Sequence, residues 1–256
     1  MTEFIKDKLA VKIFNTRDEM GKQAATEVAA CIKKLLGEKE EINMIFAAAP
    51  SQNDMLLHIC SDPEIEWERI NAFHMDEYVG LAKDAPQGFG NFLNDKIFSK
   101  KPFKSVNFIR CDAPDAEAEC ERYSALLKKY PTDIVCMGIG ENGHIAFNDP
   151  HVAEFDDKKV VKTVELDEVC RMQQVNDGCF AKIDDVPKQA LTLTIPTLTS
   201  GKYLFCVVPA PTKANAVKNT VEGEITPDCP ASILRKHDNA ILYCDSDSAA
   251  LLTKSE

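Results

Sequence analysis

Ile42-Asn-Met-Ile-Phe-Ala-Ala-Ala-Pro-Ser-Gln-Asn-Asp-Met-Leu-Leu-His-Ile-Cys60 carries, in order, an apolar run, a turn of small residues and a stretch of helical period. The run Ile42–Ala48 is nearly unbroken, as expected of a strand buried on both faces. Comparable runs recur at Leu9–Phe14, Ile70–Phe73, Val106–Ile109, Ile134–Met137, Leu191–Ile195, Tyr203–Val208 and Ala240–Cys244. Helical period occupies Arg17–Leu36, Gln52–Cys60, Ala116–Lys129, Ala214–Glu222 and a tail near Ser248–Lys254. Two helix starts read as capping boxes, Thr16-Arg-Asp-Glu19 and Ser51-Gln-Asn-Asp54, each pairing a hydroxyl with an acid three residues on. The alternation predicts an α/β fold, a single domain spanning residues 1–256, with a mostly parallel sheet covered by helices on both faces. Ligands of such sheets sit beyond the carboxyl ends of the strands, so the segments that follow the strands are the ones to inspect. The longest irregular, charged segment, Asp149–Lys162, is the expected mobile flap.

Composition removes several classes of function. The chain has 256 residues, 45% of them hydrophobic, and a formal charge of −11, which disfavours nucleic acid and anionic lipid as partners. The first residues, Met1–Phe14, offer neither a signal-peptide core nor a cleavage site. No apolar run approaches the roughly eighteen residues of a membrane span, and the expectation is a soluble, cytoplasmic protein. Ten cysteines are scattered through apolar segments as small core residues, with no CxxC pair and no zinc-like combination with the five histidines. No structural metal is therefore expected.

Chemistry concentrates in Cys136-Met-Gly-Ile-Gly-Glu-Asn-Gly-His-Ile-Ala-Phe-Asn-Asp-Pro150. Gly138, Gly140 and Gly143 allow close backbone approach to a ligand, although a lone glycine pattern without a downstream acid at the next strand is no dinucleotide fingerprint. His144 follows the tightest turn. On its own it reads equally well as a satisfied turn histidine, but Glu141 and Asp149 offer carboxylates that would fix its tautomer and make it a general acid/base. A second group, Phe73-His-Met-Asp-Glu-Tyr-Val-Gly-Leu81, places Asp76 and Glu77 just past a strand, either as solvated rim or as catalytic acids. Ser51 begins a helix whose amides suit either capping alone or a phosphate. Lys213, in the first turn of another helix, opposes the dipole and wants an anion nearby.

These residues resemble the glucosamine-6-phosphate deaminases. The resemblance is carried by Met75-Asp-Glu-Tyr-Val-Gly-Leu81 and Gly138-Ile-Gly-Glu-Asn-Gly-His-Ile-Ala-Phe-Asn-Asp-Pro150, and it extends in order from about Ile42 to Asp245. It implies a modified Rossmann-like fold and a cofactor-free aldose–ketose isomerisation of a hexosamine 6-phosphate with loss of ammonia. In that scheme His144 opens the sugar ring, Asp76 moves a proton from C2 to C1, and Asp149 orients His144, with Asn142 and Glu141 beside them. Ser51, Gln52, Gly140, Gly143 and Lys213 form the substrate and phosphate contacts, and Glu77 supports them. Three departures stand out: Asn142 replaces an acid, Asp149 a glutamate, and Ala49-Pro50-Ser51 a glycine-rich phosphate turn. A phosphate arginine of the family aligns near Gln174, and Arg171, about a turn away, is expected to replace it. Homo-oligomerisation stays open, as do a non-catalytic sugar-phosphate sensor and a 6-phosphogluconolactonase-type hydrolase as alternatives.

Overall fold

The computed structural model describes residues 1–176 and 178–253. The chain opens with a hairpin, β1 (Thr2–Lys6) and β2 (Leu9–Phe14), and continues through α1 (Arg17–Glu38), β3 (Ile42–Phe46), α2 (Asn53–Cys60) and β4 (Ile70–His74). There follow β5 (Asp76–Tyr78), α3 (Phe89–Leu93), β6 (Ser105–Asn107), α4 (Ala116–Lys129), β7 (Ile134–Met137), β8 (Val161–Glu165) and α5 (Glu168–Asn176). The last elements are β9 (Gln189–Leu193), α6 (Ile195–Thr199), β10 (Tyr203–Val208), α7 (Ala214–Glu222) and β11 (Ala240–Asp245).

Eight strands form one sheet in the order β1-β2-β11-β10-β7-β3-β4-β6, parallel throughout except for the β1–β2 hairpin at the edge. The strands alternate faces, and β7 shows how. Ile134 and Cys136 pack with α1 and α2 residues such as Val28, Ile32 and Leu56, while Val135 and Met137 pack with Tyr123 and Leu127 of α4 and Val217 of α7. Helices thus cover both faces, as the sequence predicts. The ten cysteines are all free thiols, and Cys136, Cys206 and Cys244 sit in the core. Thr16 caps α1, its hydroxyl accepting the Glu19 N–H at 3.2 Å.

The structure corrects four expectations. Leu191–Ile195 does not join the main sheet: β9 lies between β5 and β8 in a separate antiparallel sheet of three strands. Ser51 is not a helix cap, because a short 3-10 turn, Pro50–Gln52, precedes α2 and the Ser51 hydroxyl instead accepts from the Gln52 amide. The Ser248–Leu251 tail forms turns, and Lys254 lies outside the described residues. Asp149–Lys162 lines no part of the main cavity and is tethered at both ends. Asp149 is buried and its carbonyl accepts from Val152 and Ala153, while Lys162 Nζ donates to the Val152 carbonyl and pairs with Asp157.

Candidate active site

Strands β3, β4, β7 and β10 end on one side of the sheet, and a cavity of about 430 Å³ lies beyond them. Asp76, His144, Ser51, Gly140 and Lys213 all line it.

Asp76 stands where the chain leaves the large sheet for the small one. His74 ends β4 and anchors this switch: its Nε2 accepts the Ile109 N–H and its Nδ1 donates to the Asp76 carbonyl, each at 2.9 Å. Asp76 then pairs with Thr192 of β9. Burial pushes the Asp76 carboxyl well above the ordinary aspartate range, and the adjacent Glu77 charge pushes it further. Glu77 itself turns away from the cavity. Its carboxylate accepts N–H bonds from Tyr78, Phe89 and Gly90 at 2.9–3.0 Å, which ties the 78–90 loop to the strand.

His144 is held by a loop with unusual backbone. Gly143 has φ +84° and Ala146 φ +51°, and a Cβ at Gly140 would overlap the His144 ring, so only glycine admits the imidazole there. The ring Nδ1 lies 2.8 Å from Asn142 Oδ1 and 3.0 Å from Asp149 Oδ1. Asn142 Nδ2 donates to the same Asp149 oxygen at 2.8 Å, and Asn142 Oδ1 also accepts the His144 N–H. Both acceptors fix the ring proton on Nδ1, leaving Nε2 without a protein partner among the described residues. Burial acts to raise the Asp149 pKa, but the charge and hydrogen bond of His144 and the Asn142 amide hold it below the usual carboxylate value. The Cys170 thiol sits against this carboxylate. Burial and then the Asp149 charge push its pKa far up, so it remains a protonated donor.

His144, Asp149 and Cys170 form the one group with metal-like proximity among the described residues, their donor atoms lying within 4.8 Å of one another. A zinc site there would need a thiolate, and the ring Nδ1 is already committed to Asn142 and Asp149. The arrangement suits a hydrogen-bonded chain.

The sequence and structure of known proteins match this chain across nearly its whole length. A family model described as glucosamine-6-phosphate isomerases/6-phosphogluconolactonase matches residues 15–243. The chain belongs to this family. It is 35% identical over 214 residues to a glucosamine-6-phosphate deaminase of Listeria innocua, covering 83% of this chain and 88% of that one. It is 34% identical over 244 residues to a glucosamine-6-phosphate deaminase of Lactobacillus delbrueckii subsp. bulgaricus, covering 95% and 100%. A solved monomeric glucosamine-6-phosphate deaminase superposes with a TM-score of 0.84 at 32% identity, covering 94% of this chain and 99% of the other. The 6-phosphogluconolactonase of Thermotoga maritima shares the fold, with a TM-score of 0.74 at 19% identity, covering 92% and 99%.

Against this family frame, several expected residues stand elsewhere. Arg171 does not reach the cavity, because its guanidinium donates to the carbonyls of Ile183 and Val186 and so braces the turn after α5. Gln173 and Gln174 line the cavity instead. Glu141 enters through its backbone, its N–H donating to Gln173 Oε1, and it is not the carboxylate that meets His144. Gln52 is fully buried beneath the floor, its amide donating to Ser51 Oγ and to the carbonyls of Met137 and Val207. Gly143 serves the turn, since its Cβ would strike Cys229. Arg17 and Cys170 were missed by sequence reasoning. Arg17 looks like an ordinary helix start, and Cys170 like any other core thiol.

Proposed function

We propose that the protein converts a hexosamine 6-phosphate into the corresponding ketohexose 6-phosphate and ammonia, without a cofactor. The observation that carries this reading is the convergence of Asp76 and His144 on one cavity that also contains Ser51 and Lys213. Ring opening requires a proton to reach the ring oxygen while one leaves the anomeric hydroxyl, and His144 Nε2, with Nδ1 held by Asn142 and Asp149, suits that exchange. Asp76 then takes the proton from C2 of the open aldehyde, giving an enolamine, and returns it to C1. The resulting C2 imine adds water, expels ammonia and leaves a ketone. A carboxyl raised well above the ordinary aspartate range by burial is suited to both accepting and returning that proton. Lys213 and Ser51 line the same cavity and are the groups assigned to the far phosphate in this proposal, with Gly140 letting the backbone approach.

Among the described residues no helix is long and apolar enough to cross a membrane, and ten unpaired thiols suit the reducing cytoplasm. The test is direct: the purified protein is incubated with glucosamine 6-phosphate and with galactosamine 6-phosphate, and ammonia and ketose phosphate are measured together. Stoichiometric release of both from at least one epimer is expected. Tight binding of the sugars with no release would replace the enzyme by a sensor, and hydrolysis of 6-phosphogluconolactone alone would make it a lactonase.

A further inference from the structure

We infer that Arg17 is a second cation of the phosphate-binding end of this cavity, acting with Lys213 on the phosphate monoester dianion. The inference rests on the proposed sugar-phosphate chemistry and adds a ligand-binding residue to it. Arg17 and Lys213 are the arginine and lysine that line the cavity among the described residues, in a chain whose formal charge is −11. A dianion entering that field needs local positive charge, and one ammonium neutralises only half of it.

Arg17 is held beside a turn that lines this cavity. Its Nε donates to Asp54 Oδ2 and one terminal nitrogen donates to the Pro50 carbonyl, each at 2.5 Å, which clamps the guanidinium beside the Pro50–Ser51 turn. The other terminal nitrogen, Nη1, has no protein partner among the described residues. The Gln52 amide ties the same turn to Val207, near the end of β10, and β10 runs on into the Pro211–Lys213 turn. Arg17, Ser51 and Lys213 therefore border the cavity on segments tied to one another through this turn, and Asp76 and His144 line the same cavity. A guanidinium offers planar, paired N–H donors that match phosphate oxygens, which a lysine does not. The side chain is 40% exposed, so an incoming ligand can reach it. Arg17 is also the first residue of α1, where a cation opposes the helix dipole. Asp54 offsets part of that conflict, and a bound phosphate would offset the rest.

The clamp also joins α1 to the start of α2, so loss of Arg17 could act through structure alone. Two variants separate the roles: Arg17→Gln removes the cation, whereas Asp54→Asn weakens the same clamp by removing its negative charge and leaves the cation in place. Binding of inorganic phosphate is measured by titration calorimetry, alongside kcat and KM for the hexosamine 6-phosphates and melting temperature. Arg17→Gln is expected to weaken phosphate binding and raise KM about tenfold with little change in kcat, the size of one lost charge-assisted contact. Arg17→Lys should recover part of the loss, and Asp54→Asn should bind phosphate at least as well as the wild type. Equal losses in Arg17→Gln and Asp54→Asn would overturn the inference, as would an Arg17→Gln protein whose phosphate affinity stays within twofold of the wild type. Phosphate binding that depends on Arg17 in a protein releasing no ammonia would support the inference and refute only the proposed reaction.

Discussion

Acid should weaken this protein through His74. The ring is fully buried, Nε2 must accept from Ile109, and the only proton sits on Nδ1 facing the Asp76 carbonyl. A second proton would break the Ile109 bond and leave a buried cation. Burial lowers the His74 pKa to about 4; the Asp76 carbonyl and the Glu119 charge act against that, and Arg122 acts with it. An unfolded chain takes up this proton near the ordinary histidine value, about 6.5, so stability is lost as pH falls from about 6.5 towards 4 and the loss is complete below that. A gap of about 2.5 pH units corresponds to about 3 kcal/mol in all, of which about 2 kcal/mol goes between pH 7 and about pH 5. The assay is urea denaturation at a series of pH values for the wild type and His74→Gln. At pH 7 the variant should be less stable by about 1–3 kcal/mol, since the buried Ile109 N–H loses its designed acceptor geometry. Towards pH 5 the two proteins should converge, because only the wild type carries the proton-linked loss, while Asp149 and the other acids contribute equally to both. Parallel stability profiles from pH 7 to 5 would refute the assignment of a neutral, buried His74.

Three other substitutions test the site. Asp76→Asn should abolish turnover and leave substrate binding nearly intact; because burial penalises the charged carboxyl, the variant should also be more stable than the wild type at alkaline pH, with the advantage fading in acid. Retention of most of the activity would remove Asp76 from the reaction. Gly140→Ala should drive the His144 ring out of place, lowering kcat by at least about a hundredfold, the scale of a lost general acid/base, while circular dichroism remains native; an unchanged kcat would show that the ring position is unimportant. Thr192→Val should cost about 1–3 kcal/mol and reduce kcat more than it alters KM, because it leaves the buried Phe147 N–H without its acceptor, whereas Thr192→Ser should restore both.

The legible part of the fold was the part buried on both sides. Strands such as Ile134–Met137 and Tyr203–Val208 are continuous apolar runs because helices cover each face, and their boundaries match the sequence pattern. The small sheet was not legible. Asp76–Tyr78 is too short and too acidic to read as a strand, and Leu191–Ile195 reads as a strand two residues beyond the observed Gln189–Leu193, without revealing which sheet it joins. Asp76 and His144 were legible because each follows a strand or a glycine turn and matches a family motif, and Asp149 because it ends that motif as an acid, although a shorter one than the family's glutamate. Side-chain direction was not. Arg171 and Gln174 lie three apart on α5, yet Gln174 meets the cavity while Arg171 turns to the carbonyls of Ile183 and Val186. Asn142 likewise reads as a missing charge in sequence, whereas in space it bridges His144 and Asp149 with its oxygen and its nitrogen, a role an acid could fill only when protonated.

The small sheet explains why the site needs more than strand ends. Asp76 and His144 come from different connections of the large sheet, and nothing in that sheet alone would hold them at a constant separation. Strand β9 supplies the link. Thr192 pairs with Asp76 across the antiparallel ladder, its hydroxyl accepts the Phe147 N–H at 3.1 Å, and Asn148 from the His144 loop donates to the Leu193 carbonyl at 2.8 Å. One short strand therefore grips the carboxylate from its backbone and the histidine loop from its side chain and carbonyl. Both groups are buried, and a buried carboxyl that is to gain and lose a proton, as proposed for Asp76, is costly to hold in a fixed place. That cost is met by backbone geometry around it: the His74 bond to the Asp76 carbonyl on one side and the β9 ladder on the other. In the proposed reaction, proton transfer between C2 and C1 tolerates little misplacement of the base, so the antiparallel sheet, by fixing Asp76 against the His144 loop, supplies the rigidity that this proposal requires of the cavity at the strand ends.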